Sequence, residues 1–160
     1  MLFRSGLSRI EFELIASHSL ANLSRREADL LIREQVPDLA GIVTRKLGRA
    51  AYAVYAHPDL APRRLPADLA GLPWLGFDDD HSYMPGQAWL QERLGATRPV
   101  VRGNNWLVLT EAARAGAGFA VLPCYLADPD PRLKRVGGVI PDVFAEQWLL
   151  VHRDLRALPR

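Results

Sequence analysis

The sequence DDDH, Asp78 to His81, is the densest cluster of possible metal ligands in the chain. Adjacent loop residues can offer carboxylate oxygens and an imidazole nitrogen to a metal ion, but zinc sites usually use ligands spaced along the chain. The other histidines, at positions 18, 57 and 152, form no pair four residues apart. We therefore favour a solvated acidic loop over a metal site. Because the loop follows the apolar run WLGF, Asp78 or Asp79 can still line a cleft.

Cys124 is the only cysteine and lies in LPCYL, directly after a predicted strand. A nucleophile needs an adjacent base, and no glycine-flanked turn or activating neighbour surrounds this thiol in the sequence. We therefore interpret Cys124 as a small packing residue. The glycines of GAGFAVLP close a helix and precede a strand, which is the reverse of a phosphate-binding loop. A helix cap and a tight turn are the better interpretation of these glycines.

The stretch RGNNWLVLTEA places Asn104 and Asn105 between a predicted strand and the start of a predicted helix. The backbone N–H groups and the dipole at a helix N-terminus favour an anion or a carboxylate. Asparagine is also a preferred helix cap. One of the two residues is expected to cap the helix, and the other is free to contact a polar ligand through its side-chain amide.

Hydrophobic periodicity and turn residues predict the elements that must position these side chains. Strands are expected over IEFELIA, DLLIR, WLGF, PVVRG, FAVLP, RLKRV and EQWLLVHR, and GIVTRKLGRAAYAVYAH is expected to form two strands divided by Gly48. Helices are expected over LSRREA, capped by Asn22 or Ser24, over QAWLQERL up to Gly95, and over WLVLTEAARAGAG. This alternation predicts an α/β fold with a mostly parallel sheet, in which ligands bind at the carboxyl ends of strands.

Composition excludes several classes of protein. The 160 residues are 49% apolar and carry a net charge of +2, which is ordinary for a globular domain and gives no basic footprint for nucleic acid. A single cysteine excludes an internal disulfide framework, and no apolar run reaches the ~18 residues of a membrane span. The N-terminus lacks a secretory signal pattern. We expect a cytoplasmic protein without a membrane contact.

The order of several segments resembles the effector-binding domain of LysR-type transcriptional regulators. READLLIR resembles a strand-forming segment of that family, and PADLAGLPWLGF resembles the segment that opens its second lobe. NNWLVLTEAARAGAGFAVLP resembles the helix and strand that precede its L-P-x-Y sequence. The resemblance extends over roughly residues 3 to 158.

The resemblance implies a fold like the type-2 periplasmic binding proteins. Two α/β lobes with mostly parallel sheets would be joined by two crossover strands, here AAYAVYAHP and EQWLLVHR. Residues 1–55 and 148–160 would form the first lobe, and residues 56–147 the second. The family's winged helix-turn-helix, its first strand and most of its first helix have no counterpart in this chain, so we expect an incomplete first lobe.

The resemblance also implies a function: a regulatory domain, not an enzyme, that senses a small effector in the cleft between the lobes and uses no cofactor or metal. The helix N-terminus with its two asparagines suggests an organic anion as the effector. Homo-oligomers through this domain are expected, and no DNA binding by this chain alone. The alternative is a stand-alone solute-binding module with the same lobes, which would need an export signal. The positions equivalent to the family's effector contacts are Ser17, His18, Ser19, Asp78, Asp79, Asn104 and Asn105.

Overall fold

A computed structural model describes residues 28–34, 36 and 41–156 of the chain, together with positions 11 and 13–15. The helix predicted from Ser24 lies outside the described residues. The described positions of the strand predicted over residues 10–16 belong to no strand. The elements are β1 (Leu30–Arg33), β2 (Ile42–Ala56), β3 (Trp74–Phe77), α1 (Gln87–Leu94), β4 (Val101–Gly103), α2 (Trp106–Arg114), β5 (Phe119–Pro123), α3 (Cys124–Ala127), β6 (Lys134–His152) and α4 (Arg153–Arg156).

The strands of this part of the chain form one six-stranded sheet in the order β1-β6-β2-β5-β3-β4. β3 pairs in parallel with both β4 and β5, so the carboxyl ends of these three strands lie at the same edge. The long strands β2 and β6 pair antiparallel with each other and with their outer neighbours. The α/β class is confirmed, with a mixed sheet in which parallel pairing is confined to the strands beside α1 and α2.

β2 and β6 are longer than local sequence patterns predict. β2 continues through Gly48, where the register with β6 shifts between Lys46 and Gly48 instead of breaking. RLKRV and EQWLLVHR, predicted as two strands, are the two ends of β6, which passes Gly137 at a φ of 83°. The predicted breaks were wrong because the two strands pair along most of their length, and a β-bulge accommodates an extra residue without ending a strand.

The second half of β2 is buried on both faces of the sheet, as its apolar sequence predicts. Tyr52 points to one face and packs in a cluster that includes Leu90 of α1. Tyr55, three positions later, points to the other face and packs in a cluster that includes Leu109 of α2. Burying a side chain of the size of Leu90 contributes about 1.5–3 kcal/mol to stability, so these two clusters fix both helices against the sheet.

The ends of α1 and α2 agree with the sequence. α1 stops at Gly95, which has a φ of 56° and whose N–H donates to the Gln91 carbonyl at 2.9 Å. After α2 the chain returns to the sheet through Gly118, where a Cβ atom would lie 2.0 Å from the Pro73 carbonyl oxygen. Only glycine fits such a close approach of two backbones. None of the helices in the described ranges is long and apolar enough to cross a membrane.

Candidate functional site

The carboxyl ends of β3 and β4 bring two of the predicted site segments together. Phe77 is opposite Gly103 in the parallel register, and the Asp78 N–H donates to the Gly103 carbonyl at 3.0 Å. Asp78 therefore lies beside Asn104 at the edge of the sheet. The predicted positions Ser17, His18 and Ser19 lie outside the described residues.

The Asp78 carboxylate is engaged by its own loop. It accepts a hydrogen bond from the His81 N–H at 3.1 Å and lies 2.5 Å from His81 Nδ1, so it caps the short 3₁₀ turn Asp79–His81. Across the ranges that the structure describes, no three His, Cys, Asp or Glu side chains are grouped so that they could hold a metal ion. The DDDH sequence thus forms a turn in which Asp78 orders His81.

The Asp79 carboxylate is engaged by two arginine side chains. It lies 2.6 Å from Arg102 Nη2 and 3.9 Å from Arg98 Nη1, and 77% of its side chain is exposed. The hydrogen bond from Arg102 holds the pKa of Asp79 below its usual range. Asp79 and these arginines line an open groove of 430 Å³ that also contacts α1. The structure therefore separates Asp79 from Asp78, its neighbour in sequence.

Asn105 caps α2, as one of the two asparagines was expected to do. Its Oδ1 accepts the Val108 N–H at 3.0 Å, and its Nδ2 donates to Asn104 Oδ1 at 2.9 Å. The Asn104 amide nitrogen is exposed and makes no hydrogen bond within the described part of the chain. The first N–H groups of a helix have no acceptor inside the helix, so Asn104 and the first turn of α2 present several free donors at this edge.

Trp106, which the sequence analysis did not select, covers the same edge. Its ring packs edge-on against Phe77 with ring centroids 4.6 Å apart, and it lies 5.5 Å from the Tyr52 ring. Trp106 consequently contacts the buried clusters on both faces of the sheet. Its position directly after the capping asparagine is the only signal in the sequence that could have indicated this role.

Tyr52 is the second residue that the sequence did not reveal. Only 1% of this residue is exposed, yet its hydroxyl has no hydrogen-bond partner among the described residues. Tyr52 lies opposite Pro123 in the sheet, so the hydroxyl is near the carboxyl end of β5. Burial, and then the charge of Glu34, raises the pKa of Tyr52, which keeps the hydroxyl a neutral hydrogen-bond donor.

Glu34 and Tyr125 each follow the end of a strand. Glu34 follows β1, and its Oε1 lies 3.5 Å from Gln147 Nε2 on β6. Tyr125, just after β5, is 68% exposed. Partial desolvation and then the charge of Glu34 raise the pKa of Tyr125. We call Tyr52, Asn104 and Trp106 the strand-end cluster; Tyr52 lies on β2 and the other two residues follow β4, so no sequence motif links them.

The opposite face of β2 carries a polar network in which each side chain has a partner within the protein. The Tyr55 hydroxyl donates to the Asp128 carboxylate at 2.6 Å, and Asp128 also pairs with Arg135 at 3.0 Å. Cys124, at the start of α3, packs against the buried cluster that includes Tyr55. This environment agrees with the interpretation of Cys124 as a packing residue.

A mixed α/β sheet with polar and aromatic side chains gathered at the ends of its strands is the arrangement of a ligand-binding domain. The chain matches the family model of the LysR substrate binding domain over residues 2–160. It therefore belongs to this family, the effector-binding domain of LysR-type transcriptional regulators.

Solved structures show the same fold. The regulatory domain of CrgA, a LysR-type transcriptional regulator from Neisseria meningitidis, is 22% identical with a TM-score of 0.76, covering 98% of this chain and 81% of that one. The regulatory domain of the C227S variant of AphB from Vibrio vulnificus is 19% identical with a TM-score of 0.65, covering 96% and 83%. The match to the longer CrgA chain, 22% identical with a TM-score of 0.73, covers 95% of this chain but only 55% of that one. No curated protein matches the sequence.

Proposed function

We propose that this chain is a sensor domain that binds a small organic effector at the strand-end cluster, in a cleft between two lobes. The lobes are proposed as residues 1–55 with 148–160, and residues 56–147. The observation that supports the proposal best is the Tyr52 hydroxyl, which belongs to a buried side chain but lacks a partner among the described residues. Buried polar groups are nearly always hydrogen-bonded in native proteins, so a bound ligand would supply the missing partner.

The chemistry of the cluster suggests how an effector is held. Trp106 offers an aromatic surface, and the Asn104 amide and the first N–H groups of α2 offer hydrogen bonds to an anionic group. Of the other predicted contacts, Asn105 would act by orienting Asn104 and the helix, and Asp78 by ordering the loop beside them. Asp79 would contribute least, because Arg102 already binds it.

A ligand that binds two arrangements of the lobes with different affinity shifts their populations, and this shift is the regulatory signal. The proposed domain performs no catalysis. It would act in the cytoplasm as a homo-oligomer, and DNA binding is not expected of this chain by itself.

Thermal unfolding of the purified chain in the presence of small carboxylates, amino acids and aromatic acids tests the proposal. A ligand at a hundredfold excess over its Kd stabilises the folded state by about 2.7 kcal/mol, a rise in Tm of about 5–10 °C. The proposal expects such a rise with one chemical class. A cooperative transition that no compound moves contradicts it.

Two tyrosine variants locate the site. Tyr52→Phe should reduce the rise in Tm, because it removes a donor to the ligand. Tyr55→Phe removes a hydroxyl that is already bound to Asp128, so the variant should keep the full ligand-induced rise. Equal behaviour of the two variants would place the ligand elsewhere.

A further inference from the structure

The open groove beside α1 has the size of a ligand site. Its volume of 430 Å³ lies within the range of about 300–1,000 Å³ that is usual for small-molecule sites. Leu90 and Leu94 of α1 line it with apolar groups, and Thr97, Arg98 and Arg102 line it with polar ones. We call it the α1 groove. None of the residues of the strand-end cluster lines this groove, so it is a separate candidate site.

The α1 groove has a surplus of positive charge. The Asp79 carboxylate lies 2.6 Å from Arg102 Nη2 and 3.9 Å from Arg98 Nη1, so two guanidinium groups share one carboxylate. Among the described residues that line the groove, these three are the only charged ones. The Arg98 guanidinium makes no hydrogen bond with any described residue. The groove therefore offers N–H donors, and one further negative charge would balance it.

Gln87, at the start of α1, is a second and independent sign of a ligand. Only 5% of this residue is exposed, and it lines the α1 groove. Its Oε1 accepts the Phe77 N–H at 3.1 Å, which assigns the donor role to Nε2. In the part of the chain that the structure describes, Nε2 has no acceptor. Buried polar groups are nearly always hydrogen-bonded, so we expect an acceptor from outside the chain at this amide.

Gly76 of β3 connects Gln87 with the arginines. It lies opposite Arg102 in the parallel register of β3 and β4. A Cβ atom at this position would lie 2.8 Å from Pro99 Cγ and 3.4 Å from Gln87 Oε1. Any other residue would therefore push Pro99 or Gln87 out of place. The absence of a side chain at Gly76 lets Gln87 and Pro99 approach the sheet beside Arg102.

We propose that the α1 groove is a second ligand site, which binds a small molecule through a carboxylate group. The guanidinium groups of Arg98 and Arg102 pair with the carboxylate, a group that the planar arginine side chain binds well. Gln87 Nε2 donates to a ligand oxygen. A carboxylate carries the single negative charge that balances the groove, whereas a phosphate dianion adds a second charge that Asp79 repels. The inference is independent of the strand-end cluster and adds a second ligand to the sensor domain.

Titration of the ¹⁵N-labelled chain with matched compounds, followed by NMR, tests this proposal. Small aliphatic acids, benzoate and phenylacetate are each compared with the corresponding primary amide, which has a similar shape and no charge. Phenyl phosphate is compared with benzoate. At least one carboxylate is expected to shift the side-chain N–H signals of Gln87, Arg98 and Arg102 saturably, and to bind about tenfold or more tightly than its amide.

Arg98→Gln and Arg93→Gln form the matched pair of variants. Arg93 also lies near the end of α1, but its guanidinium stacks on the ring of Trp89 and does not line the groove. Arg98→Gln should weaken the carboxylate about tenfold, and Arg93→Gln should not change its affinity. Gln87→Glu keeps an acceptor for the Phe77 N–H but replaces the donor with a negative charge, so it should also weaken the carboxylate. Thermal unfolding checks that each variant is folded.

Several results overturn the inference. If no carboxylate shifts the signals of the groove, or if amides bind as tightly as the acids, the groove does not recognise a carboxylate. Tighter binding of phenyl phosphate than of benzoate would contradict the charge balance. Carboxylate binding that is lost in Tyr52→Phe but unchanged in Arg98→Gln would place the ligand at the strand-end cluster. That last result would leave the proposed function intact.

Discussion

Tyr52 and Tyr55 lie three residues apart on β2, are equally buried and have opposite surroundings. The hydroxyl of Tyr55 belongs to a complete network, in which it donates to Asp128 and Asp128 is bound by Arg135. The hydroxyl of Tyr52 has no partner in the described part of the chain, and its ring lies against Trp106 at the start of α2. β2 thus supplies Tyr55 to a closed polar network and Tyr52 to the strand-end cluster, in which its hydroxyl is unpaired.

The difference separates groups that stabilise the fold from groups that remain available to a ligand. A hydrogen bond within the protein contributes about 0.5–1.5 kcal/mol to the stability of the folded state, whereas a buried donor without a partner adds no such contribution and loses its hydration. Substitutions in the closed network should therefore lower the free energy of unfolding. Substitutions in the strand-end cluster should instead weaken ligand binding. Each of the following predictions tests one side of that division.

The largest loss of stability is expected from Asp130→Ala, in a second buried polar group that is satisfied within the protein. Only 6% of the Asp130 side chain is exposed; it binds the Arg114 guanidinium and accepts the Arg132 N–H at 2.9 Å. Its removal leaves these donors without their acceptor, and we expect urea denaturation to show a loss of about 2 kcal/mol. Asp142→Ala, at an exposed position of β6, should change stability by less than about 0.5 kcal/mol. Similar losses in the two variants would mean that the contacts of Asp130 do not stabilise the fold.

A smaller loss of stability is expected when the pH is lowered. The hydrogen bond from the Arg132 backbone, and then the Arg114 guanidinium, holds the pKa of Asp130 below its ordinary value of 3.8. A carboxyl with a lowered pKa in the folded state stabilises the fold above its ordinary pKa and loses that contribution as the pH falls through the lowered value. The Tm of the wild type should therefore fall more steeply below about pH 4 than that of Asp130→Asn. Parallel curves of Tm against pH for the wild type and Asp130→Asn would show that the ionised Asp130 carboxylate does not stabilise the fold.

The sequence predicts those parts of the fold that depend on neighbouring residues. The run WLGF, the stop of α1 at Gly95 and the cap of α2 at Asn105 all agree with the structure. Asparagine at a cap and glycine at a helix end act within one turn, so their effect is visible in a short stretch of sequence. The family resemblance rests on the order of such stretches.

The sequence does not predict features that depend on pairing between distant residues. The continuity of β2 past Gly48 comes from β6, about a hundred positions later, and local turn signals therefore misplaced a break there. The strand-end cluster brings Tyr52 of β2 against Trp106, which follows β4 much later in the chain. Asp79 appeared equivalent to Asp78 in the sequence, but the side chain of Arg102 on a neighbouring strand draws its carboxylate to another groove.

The most direct test of this division is the free energy of unfolding of Tyr52→Phe and Tyr55→Phe, measured side by side by urea denaturation without ligand. Tyr55→Phe should lose about 1.5 kcal/mol, because its hydroxyl binds a carboxylate, and Tyr52→Phe should remain within about 0.5 kcal/mol of the wild type. If Tyr52→Phe is as destabilised as Tyr55→Phe, the Tyr52 hydroxyl stabilises the fold and is not reserved for an effector.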